Sequence, residues 1–138
     1  MKTIIVDDEI MAIKLVRNYL ERDKRVEIVG ECLDAGEALQ CVRERAVEAA
    51  FLDICIHGCM DGVELGKKLK ELNPQIVLIY TTGNAQYVDN AIDVEADFYL
   101  MKPLNAAELT FVVKKANELA LQRNKRIFAR TFGHFDLY

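Results

Sequence analysis

Short apolar runs alternating with amphipathic stretches dominate this sequence, and that alternation leaves few folds open to it. The runs are Lys2 to Val6, Val26 to Cys32, Ala49 to Asp53, Ile76 to Tyr80 and Asp97 to Met101. Ile4-Ile5-Val6, Phe51-Leu52 and Ile76-Val77-Leu78-Ile79 are almost wholly apolar, as strands covered on both faces must be. Between the runs, apolar residues recur at helical spacing. Ile10, Ile13, Val16 and Leu20 predict a helix over about residues 9–22, and Ala38, Leu39 and Val42 one over 35–45. Leu65, Leu69 and Leu72 predict one over 61–72, Val88, Ala91 and Ile92 one over 85–93, and Leu109, Val112, Ala116 and Leu119 one over 105–123. Parallel neighbours need crossovers of about this length, and crossovers are right-handed. The predicted fold is therefore α/β, a doubly wound five-stranded parallel sheet with helices on both faces.

A length of 138 residues suits one such domain, and 51% hydrophobic against 29% charged residues supplies both a core and a solvated surface. No apolar run approaches the ~20 residues that cross a bilayer, and the N-terminal MKTIIVDDE breaks into carboxylates too soon for a secretory signal. The expected setting is the cytoplasm, where Cys32, Cys41, Cys55 and Cys59 would be reduced thiols. Cys55, His57 and Cys59 resemble half a zinc site, but the only other histidine is His134, so metal ligation there is not expected.

In a doubly wound sheet, ligands gather at the carboxyl ends of the strands. The first strand ends in Asp7-Asp8-Glu9 and the third in Asp53; the fourth runs out into Thr81-Thr82-Gly83 and the fifth into Lys102-Pro103. Taken singly, each has a plain structural explanation: acids complement a helix N-terminus, threonine suits a turn, and lysine suits a surface. Together they converge on one edge of one sheet. Asp7, Asp8 and Asp53 would repel one another there unless their pKa values rise or a cation sits among them, and Mg2+ readily combines carboxylates, water and a phosphate oxygen. Lys102 and the Thr82 hydroxyl suit the oxygens of a phosphoryl group in transfer, and a carboxylate such as Asp53 can itself be the nucleophile.

The segments IIVDDE, FLDI, DGVEL, TTG and DFYLMKPL occur in an order and spacing that resemble the receiver domain of bacterial two-component response regulators, over Lys2 to about Arg123. The resemblance implies a flavodoxin-like strand order, 2-1-3-4-5, and phosphorylation of Asp53 by a histidine kinase. It further implies Mg2+ held by Asp7, Asp8, Asp53 and the Cys55 backbone carbonyl, phosphoryl contacts from Thr82 and Lys102, and a cis peptide bond before Pro103. Thr82 and Tyr99 would form the switch, acting on the face made by the helix over 85–93, the fifth strand and the last helix. Phosphorylation-linked homodimers would form there, and Tyr87 is a further candidate on that face. One loop departs from the family pattern: His57 stands where the family has proline, and one extra residue separates Asp53 from Gly62. Cys55 beside the acceptor is expected to be a filler rather than a redox centre.

The formal charge of −4 argues against nucleic-acid binding by the chain as a whole, yet Arg123, Lys125, Arg126 and Arg130 face only Asp136 near the C-terminus, among Phe128, Phe132, Phe135 and Tyr138. This segment reads as strand with a turn at Gly133. Its TFGHFDLY resembles the opening strands of an OmpR-type winged-helix DNA-binding domain of the kind found in antibiotic-regulatory activators. The expected organisation is a receiver over 1–123, with 124–138 a linker and the start of an effector. DNA would be a partner of the full-length protein but not of this fragment, and no membrane is expected. Two other functions compete with this one. A pseudo-receiver acting without phosphorylation would exploit the irregular loop; a flavodoxin-type cofactor protein would want a glycine- and hydroxyl-rich loop where Asp7-Asp8-Glu9 stands.

Overall fold

The computed structural model describes residues 1–56, 61–83 and 96–132, with backbone alone considered over 124–132. In chain order the elements are β1 (Lys2–Val6), α1 (Ile10–Leu20), β2 (Glu27–Cys32), α2 (Ala35–Glu44), β3 (Ala49–Asp53), α3 (Gly62–Leu72), β4 (Val77–Thr82), β5 (Phe98–Met101) and α4 (Ala106–Phe132). The strands form one five-stranded sheet in the order β2-β1-β3-β4-β5, every neighbour parallel. The helix expected over 85–93, with Tyr87, lies outside the described residues, as do His57, Cys59, Gly133 and His134.

Strand periodicity divides the core in two. Successive residues point to opposite faces, so Ile4 and Val6 of β1, Ala50 and Leu52 of β3, and Leu78 and Tyr80 of β4 pack on one side with Ala38 of α2 and Leu65 and Leu69 of α3. Ile5, Phe51, Val77 and Ile79 take the other side, against Ile13, Val16 and Leu20 of α1 and Leu109, Val112 and Ala116 of α4. Two caps set where α2 and α3 begin: Asp34 accepts from the Glu37 amide and Asp61 from the Glu64 amide, both at 2.8 Å. Asn105 does the same for α4, accepting from the Ala107 amide at 2.8 Å.

Two expectations are corrected. Thr81 and Thr82 do not follow the fourth strand but belong to it, paired with Leu100 and Met101, because β-branched threonine continues an extended backbone without strain. Residues 125–132 are helix, not strand. α4 runs unbroken to Phe132, since no glycine or proline interrupts the chain between Pro103 and Gly133 and most residues after Leu119 are good helix formers. The expected boundary at 123/124 thus falls inside a helix. Among the described residues, no helix is long and apolar enough to cross a membrane.

A second polar device sits at the opposite end of the sheet from the acidic strand ends. Asp97, at the entry to β5, accepts from Arg123 at 2.6 and 3.2 Å and from the Leu78 amide at 2.9 Å. Lys70 lies 3.6 Å away and donates to the Ile76 carbonyl at 2.8 Å. These contacts tie α3, β4, β5 and α4 together.

Candidate functional site

The carboxylates of Asp7, Asp8 and Asp53 each place an oxygen within 4.8 Å of the others, at the carboxyl ends of the adjacent strands β1 and β3. Asp7 and Asp53 are buried, Asp8 half-buried. Although these acids precede α1, they do not cap it. Glu9 occupies the cap position without a side-chain bond, and its amide instead donates to Asp7 Oδ1 at 3.0 Å.

Lys102 closes the site from β5. Its ammonium donates to Asp7 Oδ2 at 3.0 Å and stands 3.6 Å from Asp53 Oδ2. Burial pulls the Lys102 ammonium down, but the bond to Asp7 and the charge of Asp53 outweigh it, and the net shift is upward. Burial pushes the Asp53 carboxyl up; the Cys55 amide, which donates to Asp53 Oδ1 at 3.2 Å, opposes this, the Asp7 charge reinforces it and Lys102 opposes it again. Even with Lys102 alongside, the Asp53 carboxyl is therefore held above its ordinary value. A cluster of hard oxygen donors with a surplus of negative charge fits a divalent cation such as Mg2+.

Thr82 is buried at the end of β4, and the Lys102 amide donates to its carbonyl at 2.7 Å, which fixes the two side chains on neighbouring strand ends. The Lys102–Pro103 bond is cis. Tyr99, half-buried on β5, stacks on Tyr80 with ring centroids 6.2 Å apart and planes 22° apart. The fold thus gathers Asp7, Asp8, Asp53, Cys55, Thr82 and Lys102 at one edge, with Tyr99 one strand position behind Leu100. Cys55 is a free thiol.

Two contributions go beyond the sequence expectation. Cys55 is expected at the site through its carbonyl, and its amide has a further contact there, donating to Asp53 Oδ1. Gly62 was noted only as the end of the irregular loop. A β-carbon there would run into the Asp53 carbonyl and lie 2.6 Å from Ile54 Cα, so only glycine lets α3 begin against the backbone at the end of β3. The Asp-Gly step before a helical pattern was the available signal.

A profile of the response regulator receiver domain matches residues 3–114. The sensory transduction protein LytT of Bacillus cereus is 31% identical over 83% of this chain and 46% of its own length. The transcriptional regulatory protein YpdB of Escherichia coli K12 is 30% identical over 83% of this chain and 47% of its own. The chain spans about half the length of these curated relatives. Among solved structures, the receiver domain of AraT, a response regulator from Geobacillus stearothermophilus, superposes with a TM-score of 0.80 at 33% identity, covering 89% of this chain and 97% of that one. Sheet order, clustered strand ends and profile agree, and the chain belongs to the response regulator receiver domain family.

Proposed function

We propose that this chain accepts a phosphoryl group on Asp53 from a histidine kinase and passes the change to an output domain. The observation that carries this reading is the meeting of Asp7, Asp8 and Asp53 within 4.8 Å, with the Lys102 ammonium reaching into them. Asp53 Oδ1 is engaged by the Cys55 amide, which leaves Oδ2 as the attacking oxygen. It forms the new O–P bond as the bond from phosphorus to the donor nitrogen breaks, and the donor imidazole leaves with the electron pair. Lys102 is 3.6 Å from that oxygen, close enough to exchange its bond with Asp7 for one to the phosphoryl group. The Thr82 hydroxyl supplies a second contact. Mg2+, held by Asp7, Asp8, Asp53 and the Cys55 carbonyl, would supply neutralisation of the charge on the transferring group.

Phosphorylation adds charge at the end of β3, and Thr82 with Tyr99 would carry the change to the face around β5, where homodimers form. Residues 1–123 act as the receiver, and 124–138 lead into an output domain that, in a full-length protein about twice this length, binds DNA in the cytoplasm. Slow self-dephosphorylation returns the switch to rest. Intact mass after incubation with Mg2+ and acetyl phosphate tests the acceptor. A gain of one phosphoryl group on wild type and none on Asp53→Asn is expected; equal gain on both, or none on wild type, overturns the assignment.

A further inference from the structure

The segment that follows Asp53 is fastened to β4 at both ends. At its start the Ile54 amide donates to the Thr81 carbonyl at 3.1 Å. At its far end the Gly62 amide donates to the Ile54 carbonyl at 2.9 Å, and the Gly62 carbonyl in turn accepts from the Tyr80 hydroxyl at 3.1 Å. Tyr80 is the neighbour of Thr81 in β4, so Thr81, Ile54, Gly62 and Tyr80 close a ring of bonds between the acceptor strand's end, the start of α3 and β4. The Val63 carbonyl, 3.5 Å from the same hydroxyl, is too distant to share the proton.

Room for this bond is made by another residue. A β-carbon on Gly66, one turn into α3, would run into the Tyr80 hydroxyl oxygen and lie 3.0 Å from its ring carbon Cζ. Tyr80 is fully buried and its ring is held against Tyr99, so it has nowhere to retreat. Burial pushes the phenol upward, with Tyr99 and Asp61 adding to it, so the hydroxyl stays a neutral donor. A tyrosine hydroxyl with one partner in an apolar layer is costly unless that bond is kept. Here the bond lands on the residue that ends the irregular loop, one position longer than the family spacing.

We propose that Tyr80 is a positioning residue for Asp53: its hydroxyl clamps the far end of the lengthened loop to β4, and its ring links that clamp to Tyr99. The proposal rests on Asp53 being the phosphoacceptor. Displacing Tyr99 would uncover Tyr80 and loosen its bond to Gly62, so a change on the β5 face would reach the start of α3.

The test compares wild type, Tyr80→Phe, Gly66→Ala and the double variant, using Asp53→Asn as the blank. Tyr80→Phe is expected to fold, to speed hydrogen exchange at the Gly62 amide by about tenfold while Ile5 and Phe51 exchange as before, and to slow the initial rate of phosphorylation by acetyl phosphate by about tenfold. Gly66→Ala is expected to lower the melting temperature sharply. Adding Tyr80→Phe removes the contact with the hydroxyl oxygen, though the ring carbon stays 3.0 Å away, and is expected to restore much of the melting temperature but not the rate, which separates positioning from stability. Where Tyr80→Phe is itself weakened by the space left behind, the double variant fills that space and carries the same readouts. Unchanged exchange at Gly62, or faster exchange with an unchanged rate, overturns the positioning role. No uptake on wild type overturns the acceptor reading together with it, whereas normal uptake on wild type and Tyr80→Phe alike overturns the role of Tyr80 alone.

Discussion

Lys102 gives its hydrogen bond to Asp7, at 3.0 Å, while Asp53 Oδ2 lies 3.6 Å away. The resting lysine is thus held by a carboxylate other than the proposed acceptor and remains within reach of it. Lys102→Ala removes the ammonium that meets both Asp7 and Asp53 and leaves those two carboxylates facing each other without it. A loss of about 1–2 kcal/mol at pH 7, read from urea denaturation in the presence of a chelator, is expected. Saturating Mg2+ should restore most of it, because a second cation meets the same charge.

Asp53 contributes in the opposite sense. Burial raises its carboxyl above the ordinary aspartate range, so the folded chain holds that proton more tightly than the unfolded one. Its contribution to stability is then greatest at low pH and is lost as pH rises through the raised folded value. Asp53→Asn is expected to raise the melting temperature by about 3 °C at pH 7 in chelator. The gain should shrink as pH is lowered toward 4 and as Mg2+ is added to the wild type. A variant less stable than wild type in chelator at pH 7 would contradict this account.

Asp97 and Arg123 stand 26 residues apart and hold β5 to α4 through a 2.6 Å bond that is little exposed. Removing the arginine leaves a half-buried carboxylate with the Leu78 amide and a more distant Lys70 for company. Arg123→Ala should cost about 2–3 kcal/mol in denaturant unfolding, with an unchanged m-value if the folded compactness is kept. Asp97→Asn should cost less, since the amide oxygen can still accept from Leu78.

Cys32 and Cys55 should differ in reactivity. Burial pushes the Cys32 thiol up to about 12, with smaller contributions from Cys41, Glu37 and Asp34, so almost none of it is thiolate at pH 8. Cys41 and Cys55 are only half-buried. Peptide mapping after brief iodoacetamide treatment should find Cys41 and Cys55 alkylated well before Cys32, and unfolding in urea should bring the three to similar rates.

How far the sequence discloses this molecule depends on the range of each interaction. The sheet was legible because Ile4-Ile5-Val6, Phe51-Leu52 and Val77-Leu78-Ile79 are buried on both faces, and few other arrangements bury such runs. The acids and Lys102 were legible because strand ends in a parallel sheet share an edge whatever the loops do. The helix through Phe132 was misread because Ile127, Phe128 and Phe132 suggest a strand locally, whereas the backbone simply continues a helix already nucleated. Tyr80 gave no sign of its polar role, since within an apolar run a tyrosine looks like any large side chain until Gly62 and Gly66 are placed against it. The Asp97–Arg123 pair was hidden for the same reason: nothing local joins the two.

The continuation of α4 beyond Arg123 gives the domain a lever. From Arg123, whose side chain holds Asp97, to Phe132, a helix rising ~1.5 Å per residue reaches about 13 Å. Pivoted at the Asp97–Arg123 contact, a tilt of about 10° would sweep its tip by roughly 2 Å, the scale on which packed helices shift between states. An adjustment too small to disturb the sheet would thus become a displacement at the far end of the arm.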